Sequence, residues 1–295
     1  MPKIIQFLHT AVEAEPVSVN DSIIHWNNHD SHRRKFLLAQ GKYVANNEIE
    51  SESKLVFWGE WEAQSDVVRI SKSNNIPPRY LNTPFINPSV PNRTHNTDPN
   101  VFGTRFKYII CKQTFFHNLL TNLESKSIIL FGSCINGNFC LDTVFVVSEI
   151  QNNYNLKTIE RLFPREKRGQ YYHASVNPIY DDTNYNQDIN EEDSCRISDQ
   201  NDYTYYESVD FTDKEKYNGI FSFVPCKQFD SEKQSNYIFR QPILNLDFIN
   251  GKQTQGINSK DCTESEIEDY WKEIALQVEN CGLEKGTFFK TPERR

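Results

Sequence analysis

NTDPNVFGTRFKYIIC, residues Asn96–Cys111, joins a turn-rich opening to a run of aromatic and β-branched residues. Asn, Asp, Pro and Gly are turn formers, whereas Phe102–Cys111 has the composition of a strand. We therefore expect the chain to turn inward at Asn96–Gly103 and to begin a central sheet at Phe106–Cys111. In this interpretation the segment is an architectural junction, and Asp98, just before a proline, is mainly a turn former.

The residues after this junction predict a helix and a hairpin. Apolar residues recur at helical spacing through 114–124, which predicts an amphipathic helix. The apolar runs Ser127–Ser133 and Cys140–Ile150 predict two strands. Ile135–Asn138 lies between them and contains the Asn-Gly pair that favours a two-residue hairpin turn.

Before the junction, the pattern predicts further strands and one helix. Lys3–Leu8 is typical of a first strand, and Leu55–Ala63 alternates so that one face is wholly apolar or glycine. Val67–Ile70 is expected to continue this sheet. Good helix formers from Ser31 to Gln40 predict a short helix. The proline-rich residues 74–100 predict a long loop.

The C-terminal part predicts strands closed by a helix. Strand character returns at Gly219–Pro225 and Ile243–Ile249, and Gly286–Lys290 is a candidate last strand. Thr263 and Glu266 have the spacing of a capping box, which predicts a helix over 263–281.

The predicted organisation is an α+β fold with a mixed, mostly antiparallel sheet core, a few helices and an extended acidic arm. Residues 1–175 form the β-rich N-terminal core domain. Residues 176–218, rich in acids and tyrosines, form the arm or insertion. Residues 219–295 form a C-terminal α/β segment.

Composition and charge narrow the class of protein. Of the 295 residues, 13% are aromatic, which favours a folded chain. The formal net charge of −8 argues against a broad basic face for phosphates, so we expect no direct nucleic-acid ligand. No apolar run approaches the roughly 18 residues of a membrane span. Seven scattered cysteines without paired spacing favour free thiols in a reducing cytoplasm.

The acidic arm provides the candidate partner-binding residues. Tyrosine is favoured at protein interfaces, and acids favour a basic partner. The candidates are Tyr185, Tyr203, Tyr205, Tyr206, Glu191, Glu192 and Asp193. Cys281, at the end of the last predicted helix, is a candidate contact between subunits, or else a buried thiol.

Three groups of residues are candidates for chemistry. His25, His29 and His32 would share one face of a helix and could ligate a metal, although Asn27, Asn28 and Asp30 are poor helix formers. His32–Lys35 is a cationic cluster able to grip a phosphate or carboxylate, or else a solvated helix face.

Glu60 and Glu62 would lie on one face of a strand. Together with Asp98 and Asp142 they could form an acidic catalytic cluster. Nucleophile and nucleotide-binding motifs are absent from the sequence, which favours a binding protein without catalytic residues, metal or cofactor.

Four stretches of the chain resemble the phage-encoded anti-Gabija proteins. They are HDSHRRKF at 29–36, FWGEWE at 57–62, NTDPNVFG at 96–103 and ILFGS at 129–133. The resemblance implies a non-enzymatic α+β inhibitor without a cofactor. It implies a homo-oligomer that assembles around a bacterial Gabija-type nuclease–helicase complex and prevents that complex from acting on DNA.

Two alternatives remain open. SIILFGS and CLDTVFVVSE resemble the strand pair of small PUA- and EVE-like barrels, which bind modified bases. In that interpretation Phe57, Trp58 and Trp61 would stack on a base, or else they are core residues. The other alternative is a metal-dependent hydrolase or nuclease that uses Glu60, Glu62 and Asp98.

Overall fold

The computed structural model shows an α+β protein built mostly from antiparallel strands. It describes residues 1–9, 12–16, 23–24, 33–46, 48–49, 51–61, 64–70, 77–86, 97–109, 111, 113, 116–154, 161, 163–164, 172, 203–232, 237–251 and 256–295.

Within these residues the strands follow in chain order. They are β1 (Lys3–His9), β2 (Ile23–Ile24), β3 (Lys35–Ala45), β4 (Glu48–Ile49), β5 (Ser53–Gly59), β6 (Ser65–Arg69), β7 (Tyr80–Ile86), β8 (Lys107–Tyr108), β9 (Ile128–Ile135), β10 (Asn138–Tyr154), β11 (Tyr203–Ser208), β12 (Val224–Gln228), β13 (Ile243–Leu244), β14 (Gly256–Asp261), β15 (Glu284–Phe289) and β16 (Glu293–Arg294). The helices are α1 (His117–Leu120), α2 (Glu264–Asn280) and a 3₁₀ helix at Phe211–Tyr217.

The described strands form two sheets. The first sheet has the order β14-β1-β9-β10-β11-β8, with β13 beside β10. The second has the order β15-β12-β5-β3-β7-β6-β2, with β16 beside β7 and β4 beside β3. In the second sheet β15 also pairs with β3, so β3, β5, β12 and β15 form a closed circuit. Most pairings are antiparallel, as expected from the sequence.

The first sheet buries both of its faces, which explains the continuous apolar runs of its strands. Residues on one face belong to a core shared with the second sheet: Ile5, Phe7, Ile129, Phe131, Phe145 and Val147. Residues on the opposite face pack in a cluster with α2: Ile4, Leu8, Ile128, Leu130, Val144 and Val146. The molecule is therefore layered, with the first sheet in the middle.

Helix α2 confirms the sequence prediction in detail. Thr263 is the N-cap, and its side chain and that of Glu266 bond reciprocally to each other's backbone. Ile267, Ile274 and Val278 are buried against the first sheet. Gly282 follows with φ 67°, a left-handed conformation that suits glycine after a helix.

The hairpin between β9 and β10 is also confirmed. Asn136 has φ 52° and Gly137 has φ 80°, the positive values that a primed two-residue turn requires. The two strands pair from Asn138 and Ile135 inward.

The helix predicted from Ser31 to Gln40 is wrong, because Lys35 to Gln40 form the start of β3. Phe36 and Leu37 are completely buried and pair with Trp58 and Phe57 on β5. Helix propensity amounts to only tenths of a kcal/mol per residue, and burial in a sheet outweighs it.

Three other predictions are corrected in extent. Among the described residues of the strand predicted over Phe102–Cys111, only Lys107–Tyr108 form a strand. The described helix within 114–124 is the single turn of α1. The predicted loop 74–100 contains β7, which pairs with β6 and β3.

The strand predicted over Leu55–Ala63 is confirmed in its first part, because β5 ends at Gly59, and both faces of β5 are buried. Leu55 and Phe57 lie in the core shared by the two sheets. Val56 and Trp58 pack in a separate cluster with Tyr237. Residues outside β5 therefore cover its second face as well as the apolar face that the sequence pattern predicts to be buried.

Strands from residues 219–295 enter both sheets beside strands from residues 1–175. β14 pairs with β1, β12 pairs with β5, and β15 pairs with β3. Of the predicted arm, 176–202 lies outside the described residues. Among the helices described, none is long and apolar enough to cross a membrane.

Gly132 provides a test of the β9–β10 packing. A Cβ at this position would lie 2.3 Å from the carbonyl oxygen of Cys140 and 2.7 Å from Cζ of Phe139. We expect Gly132→Ala to lower the free energy of unfolding by about 1–3 kcal/mol, measured by urea denaturation. Gly59→Ala is the matched control, because its Cβ would meet Leu37 and Phe57 at an ordinary 3.4 Å. Equal losses in the two variants would contradict this packing.

Candidate functional site

A cluster of buried ionisable side chains lies between the two sheets. Its members are His9, Arg34, Glu60, Cys111 and Asp142, which we call the buried charged cluster. All five are buried, and Arg34 exposes only 1% of its surface. Ionisable groups are rarely buried unless they are paired, so each contact here has a physical consequence.

Strand ends bring three of these residues together. His9 is the last residue of β1 and follows Phe7 on the face toward the second sheet. The β3–β5 register pairs Lys35 with Gly59, so Arg34 and Glu60 are the next residues opposite each other. Strand pairing therefore brings the guanidinium to the carboxylate.

A bulge in β10 contributes Asp142. The register with β9 pairs Leu141 with Gly132 and then Thr143 with Phe131, which leaves Asp142 as an extra residue. Bulges bend a strand locally and re-aim a side chain. Here the Asp142 carboxylate reaches Arg34, which belongs to the second sheet.

Arg34 links carboxylates from the two sheets. Its Nη1 donates to Oε2 of Glu60 at 3.2 Å, and its Nη2 contacts Oδ2 of Asp142. Gln241 Nε2 donates to Oδ1 of Asp142 at 3.1 Å. Burial raises the pKa of Asp142, and the positive charge of Arg34 opposes that shift.

His9 connects Glu60 to Cys111. His9 Nδ1 lies 2.5 Å from Oε2 of Glu60, and His9 Nε2 lies 3.6 Å from Sγ of Cys111. If Nδ1 carries the proton toward the carboxylate, Nε2 presents its lone pair to the thiol. The three groups therefore stand in the order carboxylate, imidazole, thiol.

The junction segment fixes the position of Cys111. The Asp98 carboxylate accepts the backbone N–H of Cys111 at 3.0 Å and that of Ile109 at 3.4 Å. The Tyr108 hydroxyl donates to the carbonyl oxygen of Cys111 at 2.8 Å. Asp98 thus has an architectural role, as expected from the sequence. By holding the backbone of Cys111, it also positions the Cys111 thiol.

This arrangement has the parts that nucleophilic catalysis needs. A thiol beside an imidazole can be deprotonated as it attacks, and a carboxylate on the far nitrogen orients the ring. One guanidinium against two carboxylates leaves an excess negative charge. An imidazolium formed at His9 would neutralise that charge.

The predicted histidine cluster lies outside the described residues, and the predicted acidic cluster assembles only in part. His25, His29, His32 and Glu62 lie outside the described residues. Glu60 and Asp142 both contact Arg34, whereas Asp98 binds backbone N–H groups. Within the described chain no three His, Cys, Asp or Glu side chains are arranged to hold a metal.

Part of the predicted partner-binding set lies outside the description. Tyr185, Glu191, Glu192 and Asp193 are not among the described residues. Tyr203 is described only as the first residue of β11, without its side chain.

The two other tyrosines of the set face the interior instead of a partner-accessible surface. Tyr205 and Tyr206 are buried. The Tyr206 ring stacks on Tyr108, with ring centroids 5.9 Å apart. The remaining candidate, Cys281, is exposed at the C-cap of α2.

Among the candidate base-stacking residues, both tryptophans are buried and satisfied by the protein. Trp58 Nε1 donates to the carbonyl of Phe239, and Trp61 Nε1 donates to that of Gln64. Phe57 packs on Phe289, with ring centroids 4.1 Å apart. These rings form core contacts, so they offer no open aromatic cage.

Sequence reasoning missed His9 and Cys111 and gave Arg34 a different role. His9 and Cys111 are 102 positions apart in sequence, and no short motif includes both residues. A weak signal was present, because His9 ends an apolar strand on its inward face. Arg34 lay in a recognised cationic cluster, but the predicted helix would have turned it toward solvent.

No family model, no curated protein and no solved structure matches the chain in the comparisons with known proteins.

Tyr206 yields a prediction about pH. Burial raises its pKa to about 12, above the ordinary value of about 10. The neutral hydroxyl donates to the carbonyl of Leu120 at 2.5 Å and accepts from the N–H of Leu123 at 3.2 Å. Its stabilisation is therefore complete below about pH 10 and is lost as the pH rises toward 12.

We expect Tyr206→Phe to be about 1–3 kcal/mol less stable than the parent at neutral pH, because buried backbone groups lose their partner. That difference should shrink above about pH 10 in urea denaturation, since only the parent has this group to ionise. A difference that stays constant across the alkaline range would contradict the assignment.

Proposed function

We propose that the protein is a cysteine-dependent acyl-transfer enzyme in which Cys111 is the nucleophile. The observation that carries the proposal is the continuous Cys111–His9–Glu60 chain, with contacts of 3.6 Å and 2.5 Å. These contacts match the roles of nucleophile, base and orienting acid that define a catalytic triad on any fold.

The reaction follows from the positions of the protons. His9 Nε2 takes the proton of the Cys111 thiol as sulfur bonds to a carbonyl carbon of the substrate. The bond from that carbon to the leaving group then breaks, and His9 returns the proton to the leaving group. Water attacks the resulting thioester, again with His9 as base, and releases the acid and the free thiol.

Burial restricts the substrate. Cys111 exposes 4% of its surface and His9 exposes 5%. The reacting end must therefore be slender, such as a small acyl group on an ester, thioester or amide. Exclusion of water from this site would strengthen the attraction between Glu60 and an imidazolium at His9.

Acylation by p-nitrophenyl acetate tests this proposal. We expect an acetyl group on the Cys111 peptide in mass spectrometry, together with release of nitrophenolate. His9→Gln should slow acylation of Cys111 by roughly 10²-fold, because the general base is lost. Exposed Cys281 serves as the internal reference, and its labelling should not change in that variant.

Two controls make the result decisive. Cys111→Ala should remove the acetylated peptide while leaving the circular dichroism spectrum unchanged. Labelling of Cys281 without labelling of Cys111 in the parent would refute the proposal.

A second candidate function is the anti-defence role implied by the family resemblance. In this proposal the protein acts in the host cytoplasm as a homo-oligomer that binds and blocks a Gabija-type nuclease–helicase complex. The four stretches that resemble the anti-Gabija proteins meet in space, which supports this role. Two of them supply Arg34 and Glu60 to the buried charged cluster. The other two supply Asp98 and Phe131, which contact Cys111 and His9. The net charge of −8 suits competition with DNA for a basic surface.

A plaque assay tests the second candidate. Expression of the protein in Gabija-protected cells should restore phage plating, and the protein should co-purify with the complex as an oligomer. If inhibition proceeds by binding alone, Cys111→Ala retains full activity. A monomer that leaves Gabija protection intact would rule this role out.

A further inference from the structure

The Glu60 carboxylate is shared between His9 and Arg34. The same oxygen, Oε2, lies 2.5 Å from His9 Nδ1 and accepts Arg34 Nη1 at 3.2 Å. The other terminal nitrogen of Arg34 contacts Asp142, which the β10 bulge presents and Gln241 holds. A pair of opposite charges therefore stands directly behind the orienting acid.

We propose that Arg34 and Asp142 are positioning residues that set the reactivity of the Cys111 thiol through Glu60 and His9. This inference rests on the proposed role of Cys111 as nucleophile. Neither residue contacts the thiol in the described structure, so each would act through the field and geometry that it imposes on Glu60.

Arg34 and Asp142 have opposite effects on the stability of a thiolate at Cys111. The Arg34 cation offsets the Glu60 charge and makes a thiolate at Cys111 less costly. The Asp142 anion offsets Arg34 and has the reverse effect. In a buried site such charges are weakly screened, so each is felt over several ångströms.

Other ionisable groups near Cys111 also affect the stability of its thiolate. The Asp98 carboxylate receives the backbone N–H of Cys111, and its negative charge disfavours a thiolate. The Tyr108 hydroxyl is neutral and donates to the Cys111 carbonyl. Arg34 contributes a cation that contacts the Glu60 end of this relay.

Alkylation of Cys111 by iodoacetamide in the full chain measures this effect. The rate is followed against pH by mass spectrometry of the Cys111 peptide, with the Cys281 peptide as reference. We expect Asp142→Asn to shift the midpoint of alkylation to lower pH and Arg34→Gln to shift it to higher pH. Each shift should be on the order of one pH unit. Arg34→Lys, which keeps the charge, should lie nearer the parent.

Opposite shifts distinguish the proposal from a structural role. If the pair only held the sheets together, both variants would loosen the site and accelerate alkylation at every pH. Shifts in the same direction, or no shift, would therefore overturn the inference. Arg105→Gln is the charge control, because Arg105 pairs with Glu149 and Asp213 away from the cluster. Its midpoint should equal that of the parent.

Two further outcomes are assigned in advance. If circular dichroism shows that Arg34→Gln does not fold, Asp142→Asn alone tests the inference. The inference is then overturned if Asp142→Asn does not lower the pH midpoint of Cys111 alkylation. His9→Gln tests the proposed nucleophile separately. An unchanged midpoint in that variant, or no alkylation of Cys111 in the parent at any pH, overturns the proposed function and the inference with it.

Discussion

The alignment of the two sheets depends on the ion pairs that the Arg34 guanidinium makes with two carboxylates. The guanidinium is buried beside carboxylates from both layers, Glu60 from the second sheet and Asp142 from the first. Desolvating three charged groups is costly, and their mutual attraction offsets that cost only when all three remain in place. The pairing of the layers at this end is therefore specific, since a displaced sheet would leave a buried charge without its partner.

Apolar packing explains why the two sheets and α2 stack in layers, but it does not explain how the two sheets are aligned with each other. The first sheet buries one face against the second sheet and the other against α2, and such contacts tolerate small displacements. The bulge at Asp142 and the register of β3 with β5 bring the polar groups to one point. Geometry set by strand pairing thus determines which side chains meet between the sheets.

Local patterns in the sequence were sufficient for some elements and not for others. Strand β1, the β9–β10 hairpin and capped helix α2 were predictable, because apolar runs, an Asn-Gly turn and a capping box are encoded within a few residues. Strand β3 was not, because its pairing with β5 and β15 outweighs helix propensity. The Cys111–His9 contact was also out of reach, because it depends on the alignment of strands distant in sequence.

The closed circuit of β3, β5, β12 and β15 has a consequence for how the chain folds during synthesis. Strand β3 cannot pair with β15 until Glu284–Phe289 have left the ribosome, and Lys3 on β1 likewise cannot pair until Asp261 has emerged. Such distant pairings give the fold a high contact order, which slows folding because long loops must close first. Until then β1 and β3 each lack one strand partner, and an unpaired strand edge is a site at which nascent chains can aggregate.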